Sequence, residues 1–351
     1  VTRFVLITLG MALVLALALC LGGIWPPLAL GYITVFTFLM DKVTALAAAD
    51  APQGAEFPAG HGLSTLLGLL HFLLLYGGVA VLSDPASRGA VLDLADKVLC
   101  FLALALFLGQ VSNSNAHELI HRSARWPRRL GVAIYCSLLF GHHASAHPRV
   151  HHVHAATDAD PNSARLGEGF YAFALRAWTG SFRAGLRAER ALRAQRPAAT
   201  LHPYAAYGIG AAASVTLAAL LGGTVGVAVL LGLAVYAQIQ LLLSDYVQHY
   251  GLRRSLRADG RPEPVGPAHS WNAPHGFSSA LMLNAPRHSD HHAHPSRPYP
   301  GLSINRDVMP ILPHSLPVMA VIALAPALWR RMMDNRAHHW SADDATQNAK
   351  P

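Results

Sequence analysis

The chain has 351 residues, 52% of them apolar and only 13% charged, about half the charged share of an ordinary soluble domain; its mean hydropathy is +0.31. This composition excludes a disordered, collagenous, coiled-coil or disulfide-scaffold protein. The formal charge of +8 points to a membrane surface. No aromatic-interleaved basic motif accompanies it, so nucleic acid is not an expected partner.

In chain order, four stretches lack Asp, Glu, Lys and Arg: 37 residues between Arg3 and Asp41, 27 between Glu56 and Asp84, 20 between Lys97 and Glu118, and 48 between Arg196 and Asp245. A helix needs about 20 apolar residues to cross a bilayer. The first stretch is broken by Gly22, Gly23, Pro26 and Pro27, and the last by Gly222 and Gly223. The pattern predicts an all-α polytopic membrane protein with about six transmembrane helices, near 4–23, 27–41, 61–82, 98–116, 204–221 and 224–245. Leu19 before Cys20 argues against a lipoprotein cleavage site, so the first stretch is expected to remain as a span. Three cysteines, Cys20, Cys100 and Cys136, give neither a disulfide framework nor a thiolate metal site.

With the N-terminus in the cytoplasm, the outside turns fall near 22–26, 83–97 and 222–223. They carry Arg88 and Lys97, and the other 25 of 27 basic residues stay inside, as the positive-inside rule asks. The segments 117–200 and 246–315 are then cytoplasmic. A membrane-surface helix is expected over 316–329, followed by Arg330 and Arg331, with a disordered tail from Asp334.

Histidine is the informative residue type: 21 occur, against 19 Asp plus Glu. Imidazole is the commonest metal-ligating side chain. His117 and His121, at i and i+4, share a helix face at the cytoplasmic end of a span. The string His117-Glu118-Leu119-Ile120-His121 also fits the zinc-protease signature, but the chain offers far more histidines than the few ligands such a site needs. In 147–152, a helix following Pro148 would put His147 and His151 on one face and His152 about 100° round it; His142, His143 and His154 lie nearby. His249 stands where the sixth span returns to the cytoplasm. His288, His291 and His292 are read as one helix face, with Asp290 placed to orient a ligand imidazole. Glu118 is likewise read as partner to a ligand histidine rather than a catalytic acid, and His71, inside a span, as a packing residue. All four groups fall on one side of the membrane. Nine imidazoles (His117, His121, His147, His151, His152, His249, His288, His291 and His292) exceed the needs of a mononuclear centre. They suit two metals, and nitrogen ligation without Cys favours iron over copper or zinc. A metal carrier would place ionisable ligands within its spans, which this chain does not.

These motifs resemble those of the integral-membrane alkane hydroxylases, within the membrane fatty acid desaturase and hydroxylase superfamily. His117 to Arg122 resembles that family's first histidine box, Gly141 to His152 its second, and Ala156-Thr157 with Asp160 to Arg165 the stretch after it. His249-Tyr250-Gly251 matches its H-Y-G motif, Arg287 to Ala293 its third box, and Trp271-Asn272 precedes that box at the family's spacing. Ala146 and Val150 replace the usual Glu and Gly of the second box, Gln248 the usual Glu before H-Y-G, and Ala285-Pro286 the usual Leu-Gln. The loss of two carboxylates bears on metal tuning, with Gln248 expected beside His249 as an orienting amide. The resemblance implies a non-haem centre of two irons per chain, without further cofactor. That centre would use O₂ to hydroxylate an unactivated C–H bond, foremost the terminal methyl of medium-chain alkanes. Methyl-aromatic hydroxylation and fatty-acyl desaturation or hydroxylation are the alternatives. It further implies a bacterial inner membrane, an active site on the cytoplasmic side, and electrons from a rubredoxin or ferredoxin with its reductase. The twelve arginines within 122–196 suit either an acidic donor or anionic lipid.

Overall fold

The structure is a computed structural model that describes residues 1–43, 57–84, 92–194 and 201–347. Residues 85–91 of the 83–97 turn, with Arg88, and the end of the 117–200 segment, with Arg196, lie outside the described residues. The described chain is helical throughout, with no strand and two isolated backbone bridges. Four helices are long and apolar enough to cross a membrane: Thr2–Leu21, Gly60–Ser83, Leu94–Ile120 and Pro203–His249. The chain is a membrane protein.

Helix α1 (Thr2–Leu21) ends at Gly22 and Gly23, both at φ +62°, a left-handed turn glycine enters without a Cβ clash. Helix α2 (25–43) returns alongside it as one helical run containing a wide i→i+5 turn at Tyr32–Phe36. Helix α3 (Pro58–Ser83) and α4 (Leu94–Ile120) follow. In α4, Asp93 caps the start through the Asp96 N–H at 2.8 Å, and a second wide turn spans Leu108–Ser112.

After the amphipathic α5 (Arg125–Ser137), residues 143–154 form α6, and α7 (Phe170–Ala194) runs beside it. Helix α8 (Pro203–His249) would be about 70 Å long if straight, more than twice the hydrocarbon thickness. It breaks at Gly222 (φ −147°) and Gly223 (φ +59°), where Ser83 of α3 packs against the missing side chain of Gly222. Short α9 (Gly276–Leu281) and α10 (His288–Ala293) precede α11 (Leu316–Ala323) and α12 (Pro326–Gln347).

The apolar core divides into two parts. One joins α1 to α5 and the middle of α8; the other gathers Phe170, Phe173, Tyr246, Tyr250, Trp271, Trp329 and Met333 around the end of α8. The second core corrects the expected disorder after Asp334. Trp329, Met333 and Ala337 recur every four residues, are fully buried, and hold α12 down, while Asp334 Oδ1 accepts from the Tyr250 hydroxyl at 2.6 Å. His71 is buried in α3, its Nε2 2.8 Å from Ser137 Oγ of α5, well outside the other histidines.

Candidate metal centre

All nine histidines singled out by spacing come together, at the end of α4, in α6, at the end of α8 and in α10. They form two adjoining groups whose nitrogens lie within 4.8 Å of one another: His117, His121, His147, His152 and His291 in one, His151, His249, His288 and His292 in the other. Neither group contains a carboxylate.

The partition differs from the spacing argument, and the backbone explains why. Pro148 has no N–H to give to a regular helical turn. The chain widens there into an i→i+5 turn over His147–His151, with the His152 N–H donating to the His147 carbonyl. The wider turn brings His152, rather than His151, against His147 edge to face: their Nε2 atoms are 2.9 Å apart, and His151 faces the other group. In α10 the split follows ordinary helix geometry. His288 and His292, four apart, face the same group at 3.1 Å, while His291 turns toward the first group and meets His152 at 3.1 Å. The three histidines of this box therefore do not share one site.

The inward nitrogens are Nε2. His147 Nε2 lies 2.8 Å from His117 Nε2 as well as 2.9 Å from His152, and His288 Nε2 lies 3.0 Å from His249 as well as 3.1 Å from His292. An imidazole nitrogen has a single in-plane donor or acceptor position, so hydrogen bonding does not account for nitrogens that each face two others. Two nitrogens about 2.1 Å from one metal and at right angles are about 3 Å apart, which matches these separations. The Nε2 atoms of His121 and His151 are buried with no hydrogen-bond partner. The donor set fits a transition metal in each group.

Electrostatics point the same way. Burial, reinforced by the neighbouring imidazoles, holds His147, His152, His291 and His292 well below the usual histidine range, and pushes His288 down to about 3. Neutral imidazoles keep the lone pair that a metal requires. His151 is the exception. Burial would lower its pKa too, but the Asp160 carboxylate, 2.8 Å from its Nδ1, outweighs this and raises it. Asp160 is 1% exposed and also accepts from Ser163 Oγ at 2.7 Å and the Asn162 N–H at 3.0 Å, while Asn162 Nδ2 donates to Asp245 of α8 at 2.6 Å.

The sequence reading named other residues for this orienting role, and the structure places them elsewhere. Asp290 holds Arg297 through both oxygens at 2.7 Å, with His294 Nδ1 at 2.8 Å and the Ser303 N–H at 2.9 Å, and so fastens the loop after α10. Glu118 pairs with Arg122 and accepts from the Tyr299 N–H. Gln248 accepts from Ser244 Oγ at 2.8 Å and donates to the Ala285 carbonyl at 3.1 Å, tying α8 to the approach to His288. Asn272 fixes the start of α10, accepting from the Ser289 N–H at 2.9 Å and donating to Ser289 Oγ at 2.7 Å. Asp160 lies in a loop, which carries no periodicity that aims a side chain at a particular histidine.

A cavity of about 540 Å³ opens beside both groups, touching His117, His147 and His288 and extending between α2, α4, α8 and α11. Its walls include Ile33, Leu106, Tyr236, Leu241, Leu316 and Ile322. This size is in the range of small-molecule sites. His143, within the second box, also lines it, stacked on His147 with ring centroids 5.0 Å apart.

Comparison with known proteins accords with this architecture. The fatty acid desaturase family model matches residues 95–323, well over half of the chain. Two alkane 1-monooxygenases of Alcanivorax borkumensis are similar: one is 35% identical over 70% of this chain and 62% of its own length, the other 30% identical over 72% and 67%. The match thus spans about three fifths of the length of the first of these relatives. The xylene/toluene monooxygenase hydroxylase component XylM of Pseudomonas putida is 27% identical over 80% of this chain and 72% of its own. The chain belongs to the fatty acid desaturase family and, within it, to the integral-membrane alkane hydroxylases.

Proposed function

We propose that the protein is a membrane-bound di-iron monooxygenase that hydroxylates an unactivated C–H bond, foremost the terminal methyl of medium-chain alkanes. The observation that carries this reading is the juxtaposition of nine converging histidines with a largely apolar cavity running from them between membrane helices. One iron would be held by His117, His121, His147, His152 and His291, the other by His151, His249, His288 and His292. Iron at these positions supplies the O₂-dependent oxidation that side chains alone do not perform.

The protein's part is positional. Asp160 fixes the His151 ring and the proton on its Nδ1, Gln248 and Asn272 hold the backbone on either side of His288, and the apolar walls keep bulk water from the chain being oxidised.

The remaining features follow from this reading. The chain crosses a bacterial inner membrane six times, with both termini and the histidines at the cytoplasmic side. Exposed Arg125, Arg128, Arg129, Arg183, Arg187 and Arg190 offer a basic face to an acidic rubredoxin or ferredoxin, itself reduced by a reductase. A second reading, hydroxylation of methyl-aromatics, is favoured by the similarity to XylM.

The test is elemental analysis of the purified protein together with oxidation of an alkane series and of xylene, with rubredoxin and reductase supplied. About two irons per chain and terminal alcohols are expected. One zinc without iron, or no oxygenated product from either series, overturns the proposal.

A further inference from the structure

The cavity wall is not uniformly apolar. On α4, Gln110, Asn113, Ser114 and His117 follow one another at i, i+3, i+4 and i+7, so a polar stripe faces the cavity and leads to the first histidine group. Across from it, Gln240, Ser244, Asp245 and Gln248 line the cavity from α8. The stripes begin at two glutamines. Gln240 Nε2 donates to the Ala105 carbonyl at 3.0 Å, and its amide lies so close to α4 that a Cβ on Gly109 would be 2.2 Å from Nε2. Gln110, the next residue on α4, lines the same cavity as Gln240. Gln110 Oε1 is buried and has no hydrogen-bond partner.

A glutamine inside a membrane helix, with its acceptor unsatisfied, is unfavourable unless a ligand supplies a donor. The terminal amide torsion of glutamine is soft, so the oxygen turns to the cavity at little cost. An alkane brings no donor; a hydroxyl brings one. Gln110 precedes His117 by seven residues, about 10 Å along the helix, so a head group bound there leaves the far end of a medium-length chain at the histidines.

We infer that the cavity takes hydrophobic chains ending in a hydroxyl group, held with the hydroxyl at Gln110 and Gln240 and the opposite methyl at the histidines. This rests on the proposed function and names a substrate class for the same site. The reaction would convert a primary alkanol into the α,ω-diol. One methyl C–H bond breaks and one C–O bond forms with an oxygen atom of O₂; the other oxygen atom leaves as water, formed with two protons and two electrons from the donor protein.

The experiment uses the iron-loaded full chain in membranes, with donor and reductase, and three probes of one chain length: octane, 1-octanol and 1-chlorooctane. For the native protein we expect 1,8-octanediol as the main product from 1-octanol, and a higher kcat/KM for 1-octanol than for 1-chlorooctane, which has no donor. Gln110→Leu should lower the kcat/KM ratio of octanol to octane about 5- to 10-fold, the scale of one neutral hydrogen bond. The native comparison stands even if that variant does not accumulate. Octanal as the main product, or an unmoved ratio in Gln110→Leu, overturns the inference. So does an unmoved ratio with poorer coupling of electrons to product, which would assign the stripes to a file of water. Turnover of octane alone refutes the inference and spares the hydroxylase reading; oxygenation of none of the probes refutes both.

Discussion

Asp160→Asn should act on one of the two histidine groups and spare the other. Asp160 is the only carboxylate hydrogen-bonded to one of the nine histidines among the described residues, and it is 1% exposed. It takes His151 Nδ1 at 2.8 Å, Ser163 Oγ at 2.7 Å and the Asn162 N–H at 3.0 Å. Asparagine keeps the size and one acceptor oxygen, so the loop should still close, but the charge opposite His151 is gone. Losing such a partner typically costs 10- to 100-fold in metal affinity or activity, or about 1.4 to 2.7 kcal/mol. His151 belongs to the group of four, so the loss should fall on that iron. The assay is iron retained per chain against increasing chelator, with turnover measured in parallel. One iron should leave the variant at a chelator concentration 10- to 100-fold below native, the other near the native concentration. Simultaneous release of both irons, or a native profile, would refute the assignment of Asp160 to one site.

Three further outcomes are expected. Gln248→Glu puts a carboxylate against the Ala285 carbonyl, which now accepts from the amide at 3.1 Å; a loss of about 1–3 kcal/mol in stability should appear as a lower melting temperature in detergent, with less iron bound. Gly109→Ala places a Cβ 2.2 Å from Gln240 Nε2; displacing that amide from the Ala105 carbonyl should cost about 0.5–1.5 kcal/mol and reshape the cavity, read as a changed chain-length profile. Glu168 contributes a pH dependence. Burial would raise its pKa, but hydrogen bonds from Arg176 and the Arg165 N–H hold it below the ordinary value. Its stabilisation is therefore complete above the usual glutamate pKa and fades as the pH falls through the lower folded one. Acid melting curves of native and Glu168→Gln protein should converge in that lower range; curves that stay equally separated at every pH would count against it.

The helical membrane class, the family and the nine histidines were all legible in the sequence, because charge-free runs and local spacings are one-dimensional signals. The division of those histidines between two groups was not. The spacing of His147, His151 and His152 was read at 3.6 residues per turn, and Pro148 locally changes that period. Asp290 and Gln248 were assigned to neighbours along the chain, whereas their bonds go to Arg297 and Ala285, which only folding brings near. A helix was expected over 316–329, but its continuation past Asp334 was not, although Trp329, Met333 and Ala337 carry a four-residue repeat; the polar residues between them concealed it.

The wide turn in α6 has a mechanical consequence. Helix α6 gives His147 and His152 to one group and His151 to the other, and α10 gives His291 to the first and His288 and His292 to the second. Each helix thus joins both histidine groups, and the spacing between the groups is set by backbone rather than by side-chain rotation. A rotation of α6 would therefore displace nitrogens of both groups at once. Deleting a single residue from 148–150 would remove the wide turn and leave His152 four residues after His147, so ordinary winding would keep both on one face while the backbone between them shortens by one residue.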